Sequence, residues 1–249
     1  MDASFQFQVG VFSGGFIPTA SNASEWESRW VPAQTAGYSP VTQAFDSSFT
    51  VTANPAPFTV GARAYIWGRS QAATQDEWIL FRRHDWNWPA PNEMNPLFPV
   101  WNAATADEVV LGTLNPGAAP FFMKSETVRS YAQWRNDVLA SEPLNGPNDD
   151  PDHDGFSNLM EFAFGSSPVQ RSAPPAIETT VGSFFQISVP RLRNHLARVT
   201  VEVSGDLSRW ESGDSHTLEV SNTANLLVVR DLTPIGDGRL MRVKVETGP

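Results

Sequence analysis

The twelve residues from Asp150 to Glu161 constrain this chain more than any other stretch of its sequence. Their spacing places carboxylates at positions one, three and five, glycine at six, an amide at nine and a carboxylate at twelve. This spacing is typical of a loop that wraps a Ca²⁺ ion, which prefers six to eight oxygen ligands. The sequence therefore predicts a calcium site whose ligands are Asp150, Asp152, Asp154, the backbone carbonyl of Phe156, Asn158 and Glu161.

A solvated acidic loop is the alternative interpretation of the same residues, because runs of Asp usually lie at the surface. Such a run seldom also places Gly155, Asn158 and Glu161 in the calcium frame. The glycine permits the sharp turn by which the chain wraps the ion. We therefore favour the metal site over the solvated loop.

The bulk composition excludes several classes of protein. The chain has 249 residues, 41% of them hydrophobic, with 16 Phe and 9 Trp, so it can bury substantial cores. Its net charge of −10 argues against binding to nucleic acid or to anionic membranes. No apolar run approaches the length of about 20 residues that a membrane-spanning helix needs. The absence of cysteine excludes disulfides, zinc–thiolate sites and thiol catalysis.

Short strand-like segments between Gly- and Pro-rich turns predict a mostly β protein. We expect an N-terminal β-sandwich or jelly roll over residues 1–122, a helix and calcium-loop connector over 123–168, and a small immunoglobulin- or fibronectin-like sandwich over 169–249. The predicted strands are 4–12, 48–53, 60–68, 77–82, 107–114, 184–189, 197–204, 216–220, 226–230 and 240–246. Helices are expected from Ser24 to Pro32, from Ser125 to Pro143, and at the end of the calcium loop through Phe164. Residues 165–178 have the composition of a linker.

The calcium loop and its exit, from Asp150 to Pro168, resemble the loops of thrombospondin type 3 and dockerin-like repeats. They are most similar to the version found near the C-termini of Gram-negative bacterial exported proteins. In those proteins a tryptophan-bearing helix precedes the loop and a small β module follows it, as residues 131–134 and 199–210 do here. The resemblance implies export and a calcium-supported architecture, with no known catalytic activity.

Two departures from regulatory EF-hands favour a single structural site. The eighth loop position, where paired EF-hands usually carry an apolar residue, is Ser157. Pro143, Pro147 and Pro151 also prevent an incoming helix from running into the loop. We therefore expect the site to act as a clamp that holds the Trp134 helix and the two β modules in one relation.

The expected location of the protein is extracellular or at the cell surface. Strand-like sequence follows Met1-Asp2 directly, without a signal peptide, so we expect either an intracellular chain or a leader outside this sequence, and we favour the second. A loop of this kind suits millimolar external calcium better than submicromolar cytosolic calcium.

No catalytic arrangement is apparent, and the chain is not expected to be an enzyme. His84, His153, His195 and His216 are scattered and match no metal-protease or nucleophile motif. His84-Asp85 is the most suggestive pair, but adjacent residues seldom face one another.

Two binding hypotheses accompany the structural one. Trp86 and Trp88 would share a side of an extended segment and could form an exposed platform for polysaccharide, or the rings could fill the core. Strand 4–12 could pair with a neighbouring subunit as an uncovered edge strand, giving a homo-oligomer or filament, or it could pair within its own sheet. The sequence thus predicts a calcium-stabilised extracellular structural protein that could self-assemble, with a carbohydrate-binding module as the alternative.

Overall fold

The computed structural model describes residues 1–48, 51, 53–72, 74–91, 100–115, 121–173, 175–223, 225–236 and 238–248. Residues 49, 50 and 52 of the predicted strand 48–53 therefore lie outside the described residues. The predicted mostly β architecture is confirmed, with antiparallel sheets and short helices. The chain divides into two compact units, Met1–Val128 and Arg129–Pro249.

The first unit is built on one main antiparallel sheet. Its elements are β1 (Gln6–Phe12), α1 (Trp26–Arg29), β2 (Trp30–Gly37), β3 (Ala64–Ser70), β4 (Asp76–Arg82), β5 (Glu108–Leu111), β6 (Thr113–Leu114), β7 (Met123–Lys124) and β8 (Glu126–Val128). The strand order is β2-β1-β3-β4-β5, β8 pairs with the start of β4, and β6 pairs with β7 as a small second sheet.

Strand β1 lies inside the main sheet, so the prediction that segment 4–12 is an uncovered edge is wrong. Its residues pair with β2 on one side and with β3 on the other. The alternative, that the segment pairs within its own sheet, is therefore confirmed. A donor-strand assembly would have to break both of these ladders.

Strand β2 occupies the place where the sequence predicts the end of a helix. Pro32 is tolerated there because β2 is an edge strand and its outer side needs no ladder hydrogen bonds. The register shifts where Gly10 faces Pro32. A methyl group on Gly10 would lie 2.4 Å from the Val31 carbonyl oxygen, so only glycine permits this close approach.

The alternation of strand 4–12 predicts Gln6 and Gln8 on a wet face; Gln6 is exposed, but side chains cover both faces of the main sheet at Gln8. On one face Phe5 and Phe7 belong to a buried apolar cluster that also contains Ile79 and Phe81, which we call the first core cluster. Aromatic side chains cover the opposite face, among them Trp26, Trp30, Trp67 and Trp78. Gln8 is 8% exposed and its Oε1 accepts a hydrogen bond of 2.9 Å from the Trp30 indole. This pairing satisfies a polar group that the sheet would otherwise bury at a cost.

The second unit combines two helices with a small sandwich. Its elements are α2 (Tyr131–Val138), α3 (Asn158–Phe164), β9 (Ile177–Val181), β10 (Phe184–Pro190), β11 (Ala197–Ser204), β12 (Thr217–Asn222), β13 (Leu226–Asp231) and β14 (Leu240–Thr247). One sheet has the order β12-β13-β10-β9 and the other pairs β11 with β14. Residues of both sheets share one apolar cluster, which is the core of the sandwich.

Helix α2 begins later than the sequence predicts. Residues 126–128 form β8 instead, because they pair with β4. A capping box starts the helix: the Ser130 hydroxyl accepts from the Gln133 backbone N–H, and the Gln133 side chain accepts from the Ser130 backbone N–H. Reciprocal capping of this kind satisfies two N–H groups that the first turn leaves without partners.

Helix α3 connects the predicted metal loop to the core of the second unit. Phe162 is fully buried and contacts the rings of Tyr131 and Trp134 of α2. Ala163 and Phe164 join the core of the sandwich. The predicted connector 123–168 is therefore not a separate segment, because residues from Arg129 onward belong to the second unit.

Candidate metal centre

Three aspartates of the predicted loop meet in the structure. Asp150, Asp152 and Asp154 each offer one carboxylate oxygen, and these atoms lie within 4.8 Å of one another. Among the described residues they form the single group of three or more His, Cys, Asp or Glu side chains with the spacing of a metal site. The loop backbone folds round them: the Gly155 N–H donates to Asp150 Oδ2 at 2.9 Å, and the Asp154 N–H to Asp152 Oδ1 at 3.1 Å.

Two residues of the loop adopt a left-handed backbone. The φ angle is +59° at His153 and +96° at Gly155. A methyl group at Gly155 would meet no atom within 4 Å, so the backbone angle, rather than crowding, requires glycine there. The His153 side chain is exposed, as expected for a position that points away from the ion.

The ninth and twelfth loop positions contribute buried oxygen atoms. Asn158 and Glu161 are both 0% exposed and lie one turn apart on helix α3. The Asn158 amide donates to the carbonyls of Leu144 and Gly146, at 3.0 and 2.8 Å, which leaves its Oδ1 without a partner. Glu161 Oε1 accepts from the Ser166 hydroxyl at 3.3 Å, while its Oε2 has no hydrogen-bond partner.

Buried oxygens without a hydrogen-bond partner are concentrated in this loop. Among the described residues the buried side-chain oxygens without one are Asn54 Oδ1, Asp152 Oδ2, Asn158 Oδ1 and Glu161 Oε2. Three of these four atoms belong to predicted metal ligands. Each such oxygen costs roughly 1–3 kcal/mol when it stays unsatisfied, so a cation that it could bind is the simplest compensation.

The pKa values of the loop carboxylates also favour a bound cation. Burial, together with the charges of Asp152, Asp154 and Asp150, raises the pKa of Glu161 to about 8. Burial also raises the pKa of Asp152. These shifts mean that the folded chain without a cation disfavours negative charge at this place. A divalent cation would reverse that preference.

The oxygen atoms of the predicted ligands favour particular metals. Four carboxylates, an amide oxygen and the predicted carbonyl of Phe156 are all hard oxygen donors, which suit Ca²⁺ and Mg²⁺ rather than transition metals. Mg²⁺ usually keeps several waters and is seldom held by an all-protein cage, whereas Ca²⁺ accepts one. The Phe156 N–H donates to Asp154 Oδ1 at 2.9 Å, and the role of its carbonyl stays a prediction.

Residues beyond the predicted frame also hold the loop. The Ser172 N–H and hydroxyl both donate to Asp154 Oδ2 at 2.9 Å, and Arg171 Nε donates to the Asp152 carbonyl at 2.7 Å. Burial would raise the pKa of Asp154, but the hydrogen bonds from Ser172 and Phe156 outweigh it and lower this pKa. Arg171 and Ser172 both lie in the predicted linker 165–178, where no feature of the sequence marks them as contacts.

Trp86 and Trp88 do not form the predicted exposed platform. Their side chains are 3% and 5% exposed and belong to the first core cluster. The rings pack against Trp101, with centres 6.2 and 5.7 Å from it. A sugar cannot stack on a ring whose faces are covered, so the platform hypothesis is wrong for these two residues, and the alternative, that the rings fill the core, is confirmed.

His84 meets a different carboxylate from the one suggested by its neighbour in the sequence. Its ring Nδ1 hydrogen-bonds to Asp107, and its backbone N–H donates to the same carboxylate at 2.7 Å. Asp85 instead pairs with Arg83 at 3.2 Å. The His84–Asp107 pair is exposed and joins the end of β4 to the residue before β5.

Comparisons with protein-family models, with curated proteins and with solved structures found no match to this chain. None of the helices in the described part of the chain is long and apolar enough to cross a membrane.

Proposed function

We propose that this chain is a structural protein of the extracellular space or cell surface, and that one Ca²⁺ ion stabilises its second unit. The observation that carries the proposal is the group of three buried oxygens without partners, on Asp152, Asn158 and Glu161. They occupy the third, ninth and twelfth positions of the calcium frame. An acidic loop exposed to water would not bury acceptors in this way.

The stabilisation would arise by mass action. External calcium at about 100 times the dissociation constant adds about 2.7 kcal/mol to the free energy of unfolding. This increment is comparable to that of a disulfide, at roughly 2–4 kcal/mol. The chain has no cysteine, so a metal can serve here as the cross-link that disulfides provide in other exported proteins.

A structural role fits the packing of helix α3 better than a switching role. Phe162, Ala163 and Phe164 are each at most 7% exposed, within the apolar clusters of the second unit. A regulatory EF-hand opens by swinging a helix away from its partner. The same motion here would expose these side chains to water, at roughly 1.5–3 kcal/mol for a large apolar side chain.

Several segments that are distant in sequence meet at the loop, and calcium would hold them together. Asn158 joins α3 to residues 144–146, and Asp154 joins the loop to Ser172. We predicted that the site clamps the two β modules. The described contacts of the loop lie within the second unit, so a clamp between the units stays a prediction.

Calorimetric titration and thermal unfolding test the proposal directly. We expect one Ca²⁺ per chain, and a thermal midpoint several degrees higher in calcium than in EDTA. Glu161→Gln should abolish the calcium-dependent increase. Asp214→Asn, which removes the same charge from an exposed position outside the loop, should retain it. Mg²⁺ at equal concentration should give a much smaller increase. Equal midpoints in calcium and in EDTA would contradict the proposal.

The affinity for Ca²⁺ tests the proposed extracellular location. Extracellular modules bind Ca²⁺ with dissociation constants of roughly 0.1–1 mM. A constant in this range would leave the site empty at cytosolic calcium and filled outside the cell. Submicromolar affinity would remove this argument for an extracellular role while leaving the structural site intact.

A further inference from the structure

A cleft in the first unit offers a second binding site that is independent of the calcium loop. Its volume is about 580 Å³, within the range of roughly 300–1,000 Å³ that is typical of small-molecule sites. The turn after β1 and the segment that leads into β3 form its lining. The lining residues all belong to the described part of the chain.

The walls of the cleft are mainly apolar. The ring centres of Phe12 and Phe16 lie 5.5 Å apart, and Phe12 meets Tyr65 edge to face at 5.5 Å. Ile17, which also lines the cleft, is 54% exposed. An exposed aliphatic side chain beside aromatic rings gains free energy when an apolar ligand covers it.

The charge in the cleft is opposite to that of the whole chain. The chain carries a net charge of −10, yet its described lining includes no Asp or Glu, and Arg63 is the one charged side chain there. The guanidinium carbon of Arg29 lies 6.0 Å from the centre of the Phe16 ring and adds a second positive charge nearby. The local field therefore favours an anionic ligand.

Arg63 and Tyr65 together offer donors to such an anion. The Arg63 side chain is exposed, and Tyr65, which is 3% exposed, lines the same cleft. Arginine can only donate, and a protonated phenol can also donate, so both groups suit a carboxylate. Burial raises the pKa of Tyr65, although the charges of Arg82 and Arg63 oppose the shift, so the phenol keeps its proton at neutral pH.

We propose that this cleft binds a small monocarboxylate with an aliphatic or aromatic body. The carboxylate would accept hydrogen bonds from the Arg63 guanidinium and the Tyr65 hydroxyl. The body of the ligand would lie against Phe12, Phe16 and Ile17. A neutral amide of the same shape would lose the charge-assisted hydrogen bonds, and acetate would lose the apolar contact.

Titrations followed by two-dimensional NMR, with hexanoate and benzoate as probes, test this site. Both should bind at millimolar concentration and shift the backbone signals of residues 12–17 and 61–65, whereas hexanamide, benzamide and acetate should bind more weakly. Arg63→Gln should weaken hexanoate binding roughly 5- to 10-fold, as expected for the loss of a charged hydrogen bond at the surface. Arg209→Gln, an equal change of charge at an exposed position of the second unit, should leave the affinity unchanged.

A second variant separates the apolar contact from the ionic one. Ile17→Ser should weaken the binding of hexanoate and hexanamide alike, whereas Arg63→Gln should weaken that of hexanoate alone. Thermal midpoints of both variants would verify that the first unit stays folded. Equal affinity for hexanoate and hexanamide, an unchanged affinity in Arg63→Gln, or no saturable binding of either carboxylate would overturn the proposal.

Discussion

At the residue scale, Glu161 carries the largest electrostatic cost of the metal loop. Its carboxylate is buried, and three aspartates lie close enough to raise its pKa. Removing a carboxylate from water disfavours its charged form, and neighbouring negative charges add to that effect. The metal-free fold should therefore hold Glu161 protonated at pH values where the unfolded chain has already released the proton.

This difference predicts an unusual pH dependence for the metal-free protein. The pKa of Glu161 rises from an ordinary value of 4.5 to about 8 in the fold. Between these values the folded state binds the extra proton, so the free energy of unfolding falls as pH rises, by up to about 1.4 kcal/mol per pH unit. With Ca²⁺ the carboxylate is ionised in the fold as well, and this loss of stability should disappear.

Chemical unfolding in EDTA and in calcium, from pH 5 to pH 8, measures the effect. Glu161→Gln should abolish the decrease in EDTA, because it removes the titrating group while keeping the shape of the side chain. It should therefore be more stable than the wild type in EDTA at pH 8 and less stable in excess calcium. A metal-free wild type whose stability is independent of pH over this range would contradict the electrostatic interpretation of Glu161.

At the element scale, helix α3 links the metal site to the packing of the second unit. Its first residue, Asn158, anchors it to residues 144–146, and its last residues enter the sandwich core. This helix has less than two turns and carries both the predicted ligands, Asn158 and Glu161, and side chains of the core. A bound metal would therefore stabilise the same element as the core does.

The two functions of Asn158 can be separated by a single substitution. Asn158→Asp keeps an oxygen ligand for calcium but replaces the amide donor with a second oxygen. The carbonyls of Leu144 and Gly146 would then face a carboxylate instead of N–H donors. We expect a loss of roughly 2–4 kcal/mol in EDTA, because two buried acceptors lose their partners.

Urea unfolding of Asn158→Asp and of Asn148→Asp provides the measurement and its control. Asn148 is exposed and lies just before the loop, so the control adds the same charge without removing the buried hydrogen bonds. If the free energies of unfolding of the two variants differ by less than about 0.5 kcal/mol in EDTA, the amide of Asn158 does not anchor α3. Calcium should still stabilise both variants.

The same elements show which parts of the fold the sequence could predict. Strand β11 was predicted with its observed bounds, 197–204, because its alternating pattern is local. The frame of the metal loop is local too, since its side-chain ligands lie within twelve residues. The sequence predicts no strand at β9, whose first two residues fall in the predicted linker 165–178, because all five of its residues are exposed. Such a strand has no buried apolar face, so hydrophobic periodicity does not reveal it.

A local sequence pattern cannot predict contacts between residues that are distant in the sequence. The sequence predicts Gln8 on a wet face, but the aromatic cluster around Trp30 covers that face and the Trp30 indole binds its side chain. Ser172 approaches Asp154 across 18 residues of chain. Tertiary packing decides these pairings, so they appear only when the fold is known.

At the scale of the whole molecule, the nine tryptophans and the candidate metal site are divided between the units. Trp134 and Trp210 belong to the second unit, whereas the first contains the aromatic cluster on its main sheet. The described ligands of the loop and the core beneath α3 all lie within the second unit. Calcium should therefore act on the stability of that unit rather than on the chain as a single body.

Differential scanning calorimetry of the complete chain tests this division. We expect two thermal transitions, of which calcium raises only one. Ile187→Val and Ile79→Val make the same change in the core of the second and of the first unit, and each should cost about 0.5–1.5 kcal/mol. Ile187→Val should lower the calcium-sensitive transition by a few degrees, and Ile79→Val should lower the other. A single transition that both variants and calcium shift together would mean that the two units unfold as one.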